Sequence, residues 1–178
     1  MKKLCEQYAL ALYELSEENK CEDLILTQMQ EICRLLEQNP EYVRMLDNPT
    51  LEKSKRTELA KEAFDKADEY LKNLIMLLVE ARHLNEFIAI TESFSRLFDN
   101  KHNILRARAL TAIKLDEEQK SAIGKKLEEL TGKTVILENT VDTSLVGGVL
   151  LKYGSKQINM SVRSELDTLA QMINQADV

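Results

Sequence analysis

The chain has 178 residues, of which 44% are hydrophobic and 30% charged, and it carries a formal net charge of −6. That length fits one ordinary domain or two small ones, and that mixture of apolar and charged residues excludes a disordered polymer. The negative balance also excludes binding to the phosphate backbone of nucleic acid, because no basic stripe offsets it: Lys125-Lys126 stand beside Glu128-Glu129, and Lys53, Lys55 and Arg56 lie between Glu52 and Glu58.

The first stretch, MKKLCEQYALALYELSEENK, starts basic but turns amphipathic and acidic within one helix, whereas a secretory signal carries an unbroken apolar segment. From Lys2 to about Asn100 the apolar residues recur at helical spacing. The stripes are Leu4, Tyr8, Leu12 and Leu15; Ile25, Met29, Ile32 and Leu36; Leu74, Leu77 and Leu78; and Phe87, Ile90, Phe94 and Leu97. Breaks at Glu18 to Cys21, Asn39-Pro40, Asn48-Pro49-Thr50, Asp65 to Asp68 and His83 to Asn85 predict six mostly short helices. Short links between them predict an antiparallel bundle. The longest apolar run, Leu74 to Val79, falls far short of the roughly 20 residues a membrane helix needs, so the expectation is a chain that does not insert into the membrane.

After Asn103 the period changes. Leu105, Ala107 and Ala109 alternate with Arg106 and Arg108, which predicts a strand with one wet face. Asp116 and Gln119 form a capping-box pattern ahead of Ile123, Leu127 and Leu130, and Gly132 ends that helix. Thr134 to Leu137 and Leu145 to Tyr153 read as strands, Gly154-Ser155 as a tight turn, and Val162, Leu166, Leu169 and Ile173 as a closing helix capped by Ser161. All five glycines fall after position 123 and both prolines before position 50, which separates two architectures. The predicted fold is therefore α+β and mostly α: a six-helix bundle over residues 1–103, then a small α/β domain over 104–178.

Cys5, Cys21 and Cys33 are odd in number and lack CxxC spacing, which argues against a disulfide framework and a zinc site and for a reducing compartment. Gly147-Gly148 is followed by Val149-Leu150-Leu151, not by the lysine and hydroxyl that a phosphate loop places after its last glycine, so these glycines read as a strand bend. His83 and His102 stand singly at helix ends, and the adjacent pairs Glu17-Glu18, Glu117-Glu118 and Glu128-Glu129 point about 100° apart on a helix, so neither set can share a proton. Ser161 lies near Arg163 but has no neighbouring base. No catalysis and no cofactor are expected. A positive feature is the first helix, where Tyr8, Ala9, Ala11, Leu12, Tyr13 and Leu15 spread apolar surface beyond one narrow stripe. Either that helix is central to its own bundle or it floors a groove for a partner helix.

The run from Asp142 through Gly147-Gly148 to Lys152-Tyr153-Gly154, followed by Ile158, Ser161-Val162-Arg163 and Leu166, resembles the signature of the delta subunits of bacterial F-type ATP synthase. The mitochondrial counterpart of that family is the oligomycin-sensitivity-conferring protein. Tyr8-Ala9 with Ala11-Leu12, Asn48-Pro49 ahead of a helix holding Lys55, and Leu77-Leu78 with Glu80, Arg82 and Leu84 extend the resemblance over nearly the whole chain. Asn159-Met160 departs from it, since the family usually has aspartate and glycine there. The resemblance implies a stator subunit, peripheral at the cytoplasmic face of the bacterial plasma membrane. Its helical domain would bind the N-terminal helices of alpha subunits on the catalytic head, and its C-terminal domain the peripheral-stalk b subunits. The family's groove lies between the first and fifth helices, which maps onto Tyr8, Ala11, Leu12 and Leu15 with Asn73, Leu74 and Leu77. An adaptor of another complex and a nucleotide-binding enzyme using Gly147-Gly148 are the rival expectations.

Overall fold

The computed structural model of the protein describes residues 2–145, 147–154 and 156–161. The chain divides into two compact units, Met1–Phe98 and Asp99–Val178. The first holds helices α1 (Lys2–Glu18), α2 (Glu22–Gln38), α3 (Pro40–Leu46), α4 (Lys53–Ala63) and α5 (Glu69–Ala81), then a short 3-10 turn (Leu84–Glu86). Helix α6 (Phe87–Lys101) starts in the first unit and ends in the second.

The helix boundaries fall at the predicted breaks for identifiable reasons. Pro40 opens α3, where its missing N–H costs nothing. Asp68 caps α5 by accepting the Tyr70 N–H at 2.9 Å. Because no glycine precedes position 124, left-handed turns fall to other residues, namely Lys20, Arg82 and Asn103. Arg82, at φ 59°, ends α5 and lets the His83 N–H reach back to the Leu78 carbonyl at 2.8 Å. The core of this unit joins the inner faces of all six helices: Tyr13, Ile25, Met29, Leu46, Ala60, Ile75, Phe87 and Phe94 are sealed from solvent. The Tyr13 and Phe94 rings meet at 5.4 Å, tilted by 60°.

The second unit is built on strands β1 (Ile104–Thr111), β2 (Thr134–Val141), β3 (Gly148–Tyr153) and β4 (Lys156–Ser161), with helix α7 (Glu117–Thr131) between β1 and β2. The sheet order is β2-β1-β3-β4. The β1–α7–β2 crossover makes the first pair parallel, and the hairpins make the rest antiparallel. Around α7 the capping box is complete, with Gln119 N–H to Asp116 Oδ1 at 2.7 Å and Asp116 N–H to Gln119 Oε1 at 3.2 Å. Gly132 closes the helix at φ 68°.

Three points differ from the sequence reading. Strand β2 runs on to Val141, because Glu138 and Thr140 turn outward and Asn139 spends its amide on β1, leaving no apolar pattern to read. Strand β3 starts at Gly148 and not at Leu145, since Asp142 holds a turn through the Ser144 N–H at 3.0 Å and hydroxyl at 2.6 Å. Gly148 itself has φ 81°, a conformation that favours glycine. Residues 156–161 form β4, so Ser161 ends a strand, and Asn159-Met160 lies within the β3–β4 ladder. The expected closing helix, along with Val146 and Ser155, lies outside the described residues.

Candidate partner-docking site

Helix α1 carries two parallel apolar stripes set one residue apart. Cys5, Ala9, Leu12, Tyr13 and Ser16 face the core. The residues just before them, Leu4, Tyr8, Ala11 and Leu15, repeat the same i, i+4, i+7, i+11 spacing about 100° round the helix. This second stripe is left outside: Leu4, Ala11 and Leu15 are exposed, Leu15 by 44%, and Tyr8 is half-buried. A helix with one apolar stripe needs one neighbour, so a second stripe is surplus to folding.

Helix α5 packs against α1 and repeats the arrangement. Leu71, Leu74, Ile75, Leu78 and Val79 are buried, whereas Asn73 is exposed and Leu77 is 54% exposed. Of the residues named from sequence, Tyr8, Ala11, Leu15, Asn73 and Leu77 therefore reach solvent on two packed helices. Leu12 and Leu74, at 4% and 5% exposure, belong to the core beneath. Leu4, absent from the named set, lengthens the outer stripe by one turn, and its signal was its place four residues before Tyr8. The outer end of α5 is tied to the loop before α4 and to α4 itself: Lys53 meets Glu80 at 2.9 Å, and the Arg82 guanidinium donates to the Pro49 carbonyl at 3.3 Å.

The neighbouring polar groups are quiet. Burial first, and then the Glu86 carboxylate it bonds at 3.4 Å, push the Cys5 thiol up, so it stays a protonated donor and not a nucleophile. Burial also pushes up Cys33, whose thiol donates to the Thr91 hydroxyl at 3.2 Å. All three cysteines are free. Among the described residues no three His, Cys, Asp or Glu side chains gather as metal ligands would.

In the second unit, side chains at alternate positions take opposite faces of the sheet. One face holds Ala107, Ala109, Thr111, Val135, Leu137 and Leu151, with α7 packed over β2. Asn139 locks this side: its amide donates to the Ala109 carbonyl at 3.0 Å and the Thr111 hydroxyl at 2.8 Å, and its carbonyl accepts the Leu115 N–H at 2.8 Å. Glu128 on α7 accepts the Val135 N–H at 3.0 Å. The opposite face is exposed or half-buried among the described residues. Register places Glu138, Arg108, Lys152 and Gln157 in one row across four strands, with Thr140, Leu110, Leu150 and Asn159 in the next. Both rows are exposed or half-buried.

The described residues thus combine a helical unit with exposed leucines on α1 and α5 and a small α/β unit with an exposed charged row on its sheet. The chain belongs to the ATP synthase delta (OSCP) subunit family, whose sequence model matches residues 4–173. It is 30% identical to the ATP synthase subunit delta of Lactobacillus johnsonii, over 96% of this chain and 94% of the relative. It is 31% identical to the sodium-ion-specific ATP synthase subunit delta of Propionigenium modestum, over 93% and 95%. With the chloroplastic ATP synthase delta chain of Chlamydomonas reinhardtii it shares 34% identity over 94% and 78%. The fold also matches a chain of the mitochondrial ATP synthase hexamer of Toxoplasma gondii, with a TM-score of 0.72 and 18% identity over 96% of this chain and 97% of that one. The protein is thus a non-catalytic stator-type subunit of the F-type ATP synthase. It belongs to the machinery of ATP synthesis and ion transport. No helix among the described residues is long and apolar enough to cross a membrane.

Proposed function

We propose that this chain braces the catalytic head of the synthase against its peripheral stalk at the cytoplasmic face of the bacterial plasma membrane. The helical domain, residues 1–103, takes the N-terminal helices of alpha subunits along α1 and α5, and the domain over 104–178 holds the end of the b subunits. The observation that carries this reading is the outer stripe of Leu4, Tyr8, Ala11 and Leu15 on α1, together with the exposed Leu77 on α5, the helix packed against it. An amphipathic helix laid there would bury apolar surface the fold leaves wet, with Leu12 and Leu74 as the packed floor. A brace under torque needs tight binding without chemistry. Nanomolar affinity corresponds to about 12 kcal/mol net of association costs. Buried leucine and tyrosine side chains at roughly 2 kcal/mol each provide much of it.

Titration calorimetry with a peptide of the alpha-subunit N-terminus tests the assignment. Leu77→Asp, at a site 54% exposed, should leave the fold intact and weaken binding. The expected loss is at least tenfold, about 1.4 kcal/mol or more. Tyr8→Asp should act in the same direction. Unchanged affinity in both variants would reject the α1/α5 face.

A further inference from the structure

Helix α4 is held unlike its neighbours. Of its eleven residues only Arg56 and Ala60 are buried, whereas α2 and α5 each bury five apolar side chains. Arg56 is a costly anchor. The residue is 3% exposed, and its Nε and Nη1 are buried with no hydrogen-bond partner among the described residues. Nor does it form an ion pair among them. A charge removed from water without a partner carries a standing penalty, so only the packing of the aliphatic stem works in favour of α4. The helix is also charged against its own dipole: Lys53, Lys55 and Arg56 occupy the first turn, with no acidic residue there. Glu52 precedes the helix without a side-chain cap bond, whereas α5 has one from Asp68.

The far end of α4 is better fastened. Phe64, directly after the helix, is buried, and the Tyr42 hydroxyl donates to the Leu59 carbonyl at 3.1 Å. What joins the weak end to α5 lies in solvent: the Lys53–Glu80 pair, with side chains 62% and 43% exposed, and the Arg82 bond to the Pro49 carbonyl. Exposed contacts of this kind contribute little. We propose that the first half of α4, residues 53–58, is a latch on the outer end of α5. It swings out about the anchored stretch from Leu59 to Phe64 while the rest of the helical unit stays folded, and it carries the Arg56 guanidinium into water. Opening breaks the Glu80 contact and so frees the last turn of α5, just beyond Leu77. The latch belongs to the free chain, and holds whether or not the α1/α5 face takes a partner.

Native-state hydrogen exchange of the full chain, followed by NMR at low urea concentrations, tests this. The matched reference is the capped start of α5, because Arg56 and Lys72 donate the first intrahelical bonds of their helices, to Glu52 and Asp68. Protection factors of the Arg56, Thr57 and Glu58 amides should be at least tenfold below those of Lys72, Asn73 and Leu74, and nearly independent of urea. Arg56→Met keeps an unbranched stem and removes the charge, and should raise protection in α4 at least tenfold. Lys55→Glu reverses an exposed charge at the helix start and should raise it about threefold. Equal protection of the two first turns in the wild type would mean that no latch exists. If Arg56→Met leaves α4 no better protected, or prevents folding, the guanidinium is a support and the proposal falls. Absence of any gain in Lys55→Glu overturns the charge argument in a chain whose core is untouched.

Discussion

In the helical unit the sealed side chains are large, including Tyr13, Ile25, Met29, Ile75, Phe87 and Phe94, whereas in the α/β unit Ala107, Ala109, Thr111, Leu127 and Leu151 are the ones below a few per cent exposure among the described residues. Two alanines and a threonine bury little apolar area, and each fully buried Phe or Leu is worth about 1.5 to 3 kcal/mol. The α/β unit leans on directed polar contacts instead: the Asp116/Gln119 box, the Asn139 lock and the Glu128 contact to β2. A core of bulky hydrocarbon can stand alone and spare an outer stripe for a partner. The core that the described residues of the α/β unit form is thinner and fastened by hydrogen bonds, and so depends more on what lies against it.

Mutations in each unit can break that contrast. The largest effect expected is Phe94→Ala, which removes a fully buried ring tilted against Tyr13 and should cost about 4 kcal/mol in urea denaturation. A cost under about 1 kcal/mol would mean that the helical unit does not rely on its aromatic packing. Next comes Asn139→Ala, which strands the Leu115 N–H and removes the amide's two bonds to β1, and should cost about 2 kcal/mol, seen as faster hydrogen exchange in β1 and β2. A neutral result would erase the distinction between the units. The smallest effect is of opposite sign. Among the described residues the Tyr13 hydroxyl is buried without a hydrogen-bond partner, so Tyr13→Phe should raise the melting temperature, corresponding to a gain of about 1 kcal/mol.

Much of the helical unit was legible because its punctuation is local. Pro40, Asp68 and the polar stretch at Glu18 to Cys21 end or begin helices through their own backbone chemistry. Which stripe faces inward was not legible: Leu12 and Leu15 are equally apolar, and only the packing of α1 against its neighbours decides that one is core and the other surface. The same holds for Leu74 and Leu77. In the second unit β1 and the α7 caps could be read, since alternation and a capping box are short-range patterns. Strand β4 was missed because Gln157 and Asn159 are poor strand formers, held there by pairing with β3. The open sheet face gave one signal, the alternation of Arg106 and Arg108, which marks a wet side without naming what covers it.

Strand β2 is the outer member of its sheet, and such a strand is a template on which a second chain can grow. Glu128 has already engaged the Val135 amide there. The carboxylate thus takes up one of the outward-pointing donors of that edge, a donor that an added strand would otherwise use.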